Sequence, residues 1–384
     1  MKKNQIKLTA LASAMFMLLF AACSDDDTDK ITTMPADEAK QEIRDASQDI
    51  ESNINQMAET PGAKTFDYFF ELLGEDPVDF KSITKQSIKA SSTGVISETE
   101  YFAPKTLDFS KEGGIDDIDP EEDTGIWVYD YTEYDFVLDD PDVNYLEFRY
   151  PADQEAFDNE NNNASLFIYR YESIIINEGD VDYEEVILSA LELELTVDNT
   201  TLLSVDFELE LDQNDEPTYI SLDITMAPYN FNLSFSRTGP SSDTTISASM
   251  SLSFNNDLLF GFSLNATGDM DKDAPDIVSG YIQATPIKFD GSVYMLDIEN
   301  HVEGIEDPNE LDIDYLNSKI DIDVIHTELN RKLGHIEVFM GIVDDVPMEE
   351  PDFIIVYQDG SWEFLHEAMP ELAALFEIFE DDEV

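Results

Sequence analysis

Residues 191–211 read LELELTVDNTTLLSVDFELEL, and apolar and polar side chains alternate along most of this stretch. Strict alternation over four or more residues is typical of a β-strand with one buried face. Asn199-Thr200 lies between the two alternating runs and has a composition common in turns. The stretch therefore predicts two antiparallel strands, with the leucine-rich face toward a core and the carboxylates toward water.

The same alternation extends in both directions along the chain. Further strands are predicted over residues 126–131, 145–150, 165–176, 220–226, 229–235, 246–254, 260–266, 277–289, 293–298, 320–324, 333–340 and 353–357. We expect Asp290-Gly291 to join the strands 277–289 and 293–298. Residues 320–324 fit a strand or a helix, and we favour a strand that forms a hairpin with 333–340 and turns at Asn330-Arg331. Because the connections are short, the strands should form one large antiparallel meander.

Apolar residues recur at helical spacing only near the two ends of the chain. Residues 37–57 carry Ile43, Ala46, Ile50, Ile54 and Met57 on one face, which predicts a helix. The break at residues 59–62 separates it from a second helix over 63–73, and a short helix is predicted over 370–380.

These elements predict a mainly β protein with a few helices, of the α+β class. An apolar sheet face must be covered, and the helical pair within residues 36–74 is the main candidate to pack on it. Residues 75–384 would form the antiparallel β-rich body, which ends in the short helix. We expect the sheet to curl as a half-barrel or to pack as a sandwich. A curled sheet with helices against its concave face resembles the bacterial lipoprotein carriers, which hold acyl chains there.

The chain begins with a segment typical of a secretory signal peptide. Residues 1–7 carry three lysines, residues 8–20 are apolar apart from Thr9 and Ser13, and small residues follow at 21–23. The apolar run is shorter than the roughly 20 residues that a transmembrane helix needs. We therefore expect cleavage between Ala22 and Cys23, which removes residues 1–22.

Cys23 is the single cysteine of the sequence, and its place at the cleavage point resembles the lipobox of bacterial lipoproteins. Phe20 departs from the leucine that usually stands three residues before that cysteine. The resemblance implies that Cys23 is acylated and that the acyl chains attach the protein to a lipid bilayer. A sole cysteine used as an anchor also leaves no disulfide for the folded body.

The export signal is predicted immediately after the anchor. Ser24, Asp25, Asp26 and Asp27 follow Cys23, and residues 23–35 should form a flexible acidic tether. An acidic run at this position is similar to the surface-export signal of lipoproteins in the Bacteroidota. The layout of the whole chain resembles that of uncharacterised surface lipoproteins of that phylum. This resemblance therefore suggests no activity for the chain. The resemblance implies an outer-membrane location with the body on the cell surface.

The charge balance is strongly acidic. The chain has 20 Lys+Arg against 86 Asp+Glu, a formal net charge of −66. Removal of residues 1–22 takes away three lysines and no acid, so the mature chain would carry −69. Such a charge excludes nucleic-acid binding through phosphate contacts, which requires Lys and Arg. It also repels anionic membrane surfaces, so the acyl chains at Cys23 must supply the attachment.

Calcium is the one cofactor that the sequence brings into consideration. Asp269, Asp271 and Asp273 alternate like the ligands in the first half of a calcium-binding loop. Ala274 stands where such a loop needs Gly, and Gly280 stands where it needs a bidentate Glu. An acidic hairpin turn is therefore the alternative interpretation. The acidic residues within 116–123 are a similar second candidate.

The sequence contains no complete catalytic motif. Ser82-Ile-Thr-Lys85 matches S-x-x-K, but the companion motifs S-D-N and K-T-G are absent. The four histidines lack metal-ligand spacing, and there is no G-x-S-x-G and no glycine-rich phosphate loop. We therefore predict that the protein is not an enzyme and that its role is binding or structural.

Aromatic residues concentrate at the start of the β-rich body. They are Trp127, Tyr129, Tyr131, Tyr134, Phe136, Tyr145, Phe148, Tyr150, Phe167, Tyr169 and Tyr171. Alternation places most of them in the core or in cross-strand pairs, whereas an exposed subset would form a platform for stacking sugars. Three hypotheses follow: an apolar or lipid ligand inside the curved sheet, a surface glycan-binding module or glycoside hydrolase accessory, and a calcium-dependent adhesin.

Overall fold

A computed structural model describes residues 32–57, 59–72, 123–177, 184–213, 216–269, 272, 274–305, 307–343, 346–348 and 351–369. Several predictions lie outside these residues: the signal peptide, the cleavage site at Ala22, the anchor Cys23, the export signal Ser24, Asp25, Asp26 and Asp27, the loop acids Asp271 and Asp273, and the helix 370–380.

The described residues form six α-helices and nineteen strands. The helices are α1 (Ala36–Met57), α2 (Pro61–Leu72), α3 (Gln154–Asp158), α4 (Met295–Val302), α5 (Ile313–Asn317) and α6 (Leu365–Ala368). The first ten strands are β1 (Thr32–Thr33), β2 (Gly125–Asp130), β3 (Asp135–Asp140), β4 (Leu146–Tyr150), β5 (Ala164–Asn177), β6 (Glu184–Val197), β7 (Thr200–Leu211), β8 (Pro217–Met226), β9 (Tyr229–Thr238) and β10 (Thr244–Phe254). The others are β11 (Asp257–Gly268), β12 (Ile277–Ala284), β13 (Ile287–Val293), β14 (Ile320–His326), β15 (Arg331–Phe339), β16 (Ile342–Val343), β17 (Val346–Pro347), β18 (Asp352–Tyr357) and β19 (Trp362–Phe364).

One sheet of seventeen strands dominates the molecule, and β16 and β17 form a separate small ribbon. From β4 to β15 each strand pairs antiparallel with the next one in the chain. β18 and β19 extend the sheet beyond β15, and β2 pairs parallel with β4 and carries β3 on its other side. β1 pairs parallel with the start of β15. The predicted β-rich α+β class and the large antiparallel meander are confirmed.

The two faces of the sheet differ in polarity as the alternation predicted. In β12, Val278, Ile282 and Ala284 are buried, whereas Ser279 and Gln283 between them are partly exposed. Inward side chains from all parts of the sheet join one continuous hydrophobic core. This burial is the main stabilising contribution of the fold, at about 25 cal/mol for each Å² of apolar surface removed from water.

Helices α1 and α2 cross the inner face of the sheet and contact both of its ends. α1 packs against α6 and against β11, β12, β13 and β15, and α2 packs against β7. At the far end of α2, Phe69 contacts Phe136 of β3 and Phe148 of β4. Because one helical pair touches strands near both edges, the sheet must curl around it. This arrangement corresponds to the half-barrel alternative rather than to two packed sheets.

Local sequence explains where α2 begins. The Thr60 hydroxyl accepts a hydrogen bond from the Ala63 backbone N–H at 3.3 Å, as an N-cap residue does. Pro61 takes the first helical position, where its missing N–H costs nothing. None of the described helices is long and apolar enough to cross a membrane.

The predicted hairpin at Asp290-Gly291 is wrong. Both residues lie inside β13, and the turn falls at Thr285-Pro286 instead. The predicted strand 293–298 is also wrong, because residues 295–302 form α4. Gly291 serves a close approach of strands rather than a turn: a Cβ atom there would meet the Asp321 carbonyl oxygen of β14 at 1.8 Å.

Candidate functional site

The concave face, where an apolar ligand was expected, is occupied by the protein's own helices. Phe66, Phe69 and Phe70 of α2 and Ile43 of α1 are all buried. The Phe69 ring lies 5.3 Å from the Phe148 ring and 5.0 Å from the Tyr150 ring, measured between centroids. The apolar side chains of the sheet are thus paired with apolar side chains of the helices.

Polar contacts hold the N-terminal half of α1 to the sheet. Arg44 donates to the Glu363 carboxylate of β19 at 2.8 Å, and the Tyr357 hydroxyl donates to the same carboxylate. Burial, together with the Glu363 hydrogen bond, raises the pKa of Tyr357 well above its usual value. His326 of β14 is buried and its Nε2 lies 3.4 Å from the Glu42 carboxylate. These contacts fix the position of α1 on the sheet but do not form a catalytic arrangement.

The outer face of the sheet carries an acidic row over three neighbouring strands. Glu192 of β6 lies opposite Asp206 of β7, which lies opposite Asp223 of β8. Side chains directly opposite each other in a sheet are about 5 Å apart, so like charges in such positions repel. Farther along the sheet, β10 presents serines at 247, 249, 251 and 253 on the same face. On this face the acidic row of β6–β8 thus gives way to uncharged serines at β10.

An aromatic patch, formed by Tyr145, Phe167 and Tyr169, lies beside this row on the outer face. Phe167 and Tyr169 have nearly parallel rings, 2° apart, with centroids separated by 5.8 Å. The Tyr145 ring lies 6.0 Å from Phe167 and 6.4 Å from Tyr169. Tyr169 is 49% exposed, so its ring is open to a ligand from solvent.

A buried ion pair lies next to the aromatic patch. Glu147 of β4 is opposite Phe167 and is only 2% exposed. Its two carboxylate oxygens accept hydrogen bonds from Nε and Nη2 of Arg149, at 2.7 and 3.1 Å. A bidentate pair of this kind orients both groups and satisfies the buried carboxylate. In the sequence, Glu147 alternates with the apolar Leu146 and Phe148, a pattern that predicts an exposed side chain. Nothing in the sequence indicates that Glu147 is buried.

The aromatic patch lies in a negative electrostatic field. Burial raises the pKa of the Tyr169 hydroxyl, and the nearby Glu194, Tyr145, Glu147 and Glu192 raise it further. A negative field disfavours the tyrosinate anion and favours a bound cation, so these two effects share one cause.

The remaining aromatic residues are divided between core and surface. Tyr129, Phe136, Phe148 and Tyr150 are buried, as the core interpretation predicted. Tyr131 packs edge-on against Phe157 and donates from its hydroxyl to the Asn162 side chain at 2.7 Å. Burial is the main cause that raises the pKa of Tyr131 to about 12. Tyr134 is 68% exposed and stands in the turn between β2 and β3, where its ring lies 6.4 Å from that of Phe157.

A second aromatic cluster lies on the outer face at the opposite end of the sheet. Trp362 of β19 contacts Phe339 at 4.7 Å and Phe364 at 5.3 Å between ring centroids. His366 stacks on Phe364, and its Nδ1 lies 3.0 Å from the Asp352 carboxylate. This cluster packs the last strand against the sheet.

The calcium hypothesis stays a prediction. Asp269 lies directly after β11, in a turn where the Lys272 backbone N–H donates to its carbonyl oxygen at 3.0 Å. Lys272 also forms an ion pair with Asp276 at 3.2 Å. Within the described ranges, which omit Asp271 and Asp273, no group of three His, Cys, Asp or Glu side chains is arranged to hold a metal ion.

No protein-family model, curated protein or solved structure matches the chain. The functional assignment therefore depends on the residues and geometry described above.

Proposed function

We propose that this chain is a lipid-anchored protein of the bacterial outer membrane, displayed on the cell surface, and that it acts by binding rather than by catalysis. Its resemblance to surface lipoproteins of the Bacteroidota supports the location. One structural observation supports the binding mode: the helical pair α1–α2 occupies the concave face of the sheet. A ligand would then meet the outer face.

The chemistry of the outer face supports a binding role. It offers the exposed ring of Tyr169, the partly exposed rings of Tyr145 and Phe167, and carboxylates on rigid strands. Rigid elements hold binding groups more precisely than loops do. Aromatic side chains are enriched at interaction surfaces because they supply contact area, and charged groups beside them add electrostatic specificity.

Replacement of the anchor cysteine tests the proposed location. In Cys23→Ser, essentially all of the protein should move from the membrane fraction to the soluble fraction, because an anionic bilayer repels a mature chain of charge −69. Cell fractionation followed by immunoblotting measures this, and circular dichroism should show an unchanged fold. Ser24→Ala, which keeps the anchor, should remain in the membrane.

Retention of Cys23→Ser in the membrane fraction would contradict the anchoring proposal. Surface display is separable from anchoring. Replacement of Asp25, Asp26 and Asp27 by Ala should keep the protein in the membrane but make it inaccessible to protease added to intact cells.

A second candidate function is the holding of an apolar or lipid ligand beneath the helical pair. The observation that favours it is the large apolar area of the inner face, which would become available if α1 and α2 moved away from the sheet. Such a ligand would have to replace contacts such as those of Phe69 with Phe148 and Tyr150. The two candidates differ in whether the helices open while the sheet stays folded.

A further inference from the structure

The geometry points to a specific partner for the aromatic patch: an arginine-rich segment of another polypeptide. This inference rests on the proposed binding function and adds the site and the chemistry of the partner. The patch comprises Tyr145, Phe167 and Tyr169, flanked by Glu147, Arg149, Glu192 and Glu194 on the outer face of β4, β5 and β6.

The first argument is the uncompensated charge around the patch. Arg149 is already paired with Glu147, and Arg170 is shared between Glu172 at 2.8 Å and Glu208 at 3.6 Å. Among the described residues, Glu192 and Glu194 form no ion pair. Their charges act on Tyr169 through a partly desolvated environment. Arg170 lies directly opposite Glu192 but is bonded to Glu172 and Glu208 instead, and no Lys or Arg lies opposite Glu194 in the described sheet. An incoming cation would therefore gain mainly from Glu194, with Glu192 adding to the attraction.

The second argument is the exposure of the Tyr169 ring, beside which Tyr145 and Phe167 are partly exposed. A guanidinium or ammonium group attracted to the face of an exposed ring gains about 0.5–1 kcal/mol, and about 2 when the contact is desolvated. Arg fits such a site better than Lys, because its planar group can stack on the ring while its donors reach carboxylates. In the patch, Glu194 is opposite Phe167 and can accept such a hydrogen bond.

The third argument concerns the size of the partner. The acidic row of Glu192, Asp206 and Asp223 continues from the patch across β6, β7 and β8. Neighbouring strands are about 4.8 Å apart, so the row adds roughly 10 Å of negative surface. A single small cation would leave most of this surface unused, whereas a polypeptide with several arginines would cover it. An uncharged glycan could stack on the rings but would gain nothing from the net charge of the row.

Peptide binding to the purified Cys23→Ser protein tests this partner. Titration calorimetry with an oligoarginine peptide should show saturable binding that is tighter than binding of an oligolysine peptide of equal length. Tyr169→Ala should weaken oligoarginine binding about tenfold, and Glu194→Gln should weaken it and reduce its salt dependence. Tyr134→Ala and Asp321→Asn, exposed positions outside the patch, are matched controls and should bind like the unmodified protein.

The outcomes separate specific recognition from general attraction between opposite charges. Equal binding of both peptides, or unchanged oligoarginine binding by Tyr169→Ala, would overturn the inference. Binding of a neutral oligosaccharide that is lost in Tyr169→Ala would overturn it in favour of a glycan ligand. Phe167→Leu provides a second patch variant, and urea unfolding verifies that each variant is folded. The assay uses the unanchored protein, so a negative result would count against the arginine-rich partner and not against the proposed membrane anchor.

Discussion

Phe69→Ala should destabilise the protein by about 4 kcal/mol. Phe69 is fully buried and its ring contacts those of Phe136, Phe148 and Tyr150, on two strands near one edge of the sheet. Truncation removes these contacts and leaves a cavity between a helix and a rigid sheet, which can collapse only in part. Urea unfolding monitored by tryptophan fluorescence measures the loss.

Glu71→Ala is the matched control for Phe69→Ala. Glu71 is exposed on the same helix, two residues away, so the change should alter the free energy of unfolding by no more than about 0.5 kcal/mol. If Phe69→Ala cost as little as the control, α2 would not be part of the core. The filled concave face, and with it the outer-face binding mode, would then lose its support.

Gly291→Ala should cost about 3 kcal/mol because of overpacking against the backbone. Gly291 of β13 lies opposite Gly280 of β12 on the inner face. A Cβ atom at Gly291 would lie 1.8 Å from the Asp321 carbonyl oxygen, and one at Gly280 would lie 1.9 Å from the Ser263 carbonyl oxygen. Inward Cβ atoms crowd neighbouring strands where a sheet bends sharply, so the glycine pair permits the curl around α1.

Two further glycine variants separate this crowding from backbone strain. Gly280 has a φ of +153°, so Gly280→Ala combines both effects and should cost more than Gly291→Ala. Gly360 has a φ of +81° with open space around it, and Gly360→Ala should therefore cost only about 1–2 kcal/mol. Thermal unfolding of the three variants gives their order. A smaller loss for Gly291→Ala than for Gly360→Ala would contradict the bend at this point.

Much of the fold follows from local sequence. The alternation of residues 191–211 predicted β6 and β7, and the stripe that includes Ile43 and Ala46 predicted α1. Both predictions succeed because the spacing of apolar residues differs between strands and helices, and because each element buries one face. The prediction of a turn at Asp290-Gly291 is wrong because Asp-Gly is common in turns, whereas here the glycine occupies a crowded position inside a strand.

The candidate site was only partly predictable. Tyr145, Phe167 and Tyr169 were among the aromatic residues singled out by sequence, but alternation alone could not distinguish the exposed ones from Tyr150 in the core. Phe167 of β5 lies between Glu147 of β4 and Glu194 of β6. The register of these three strands is set by the whole sheet. Such cross-strand juxtaposition leaves no local signal in one sequence.

The most direct test of the central claim, that α1 and α2 are a permanent part of the core, is native-state hydrogen exchange of the Cys23→Ser protein. We predict that the amides of Ile43 and Phe69 exchange with the same opening free energy as that of Leu193 in β6, because helices and sheet unfold together. Exchange of both helices at an opening free energy several kcal/mol lower, while Leu193 stays protected, would contradict the account. The helical pair would then be a lid over an apolar site.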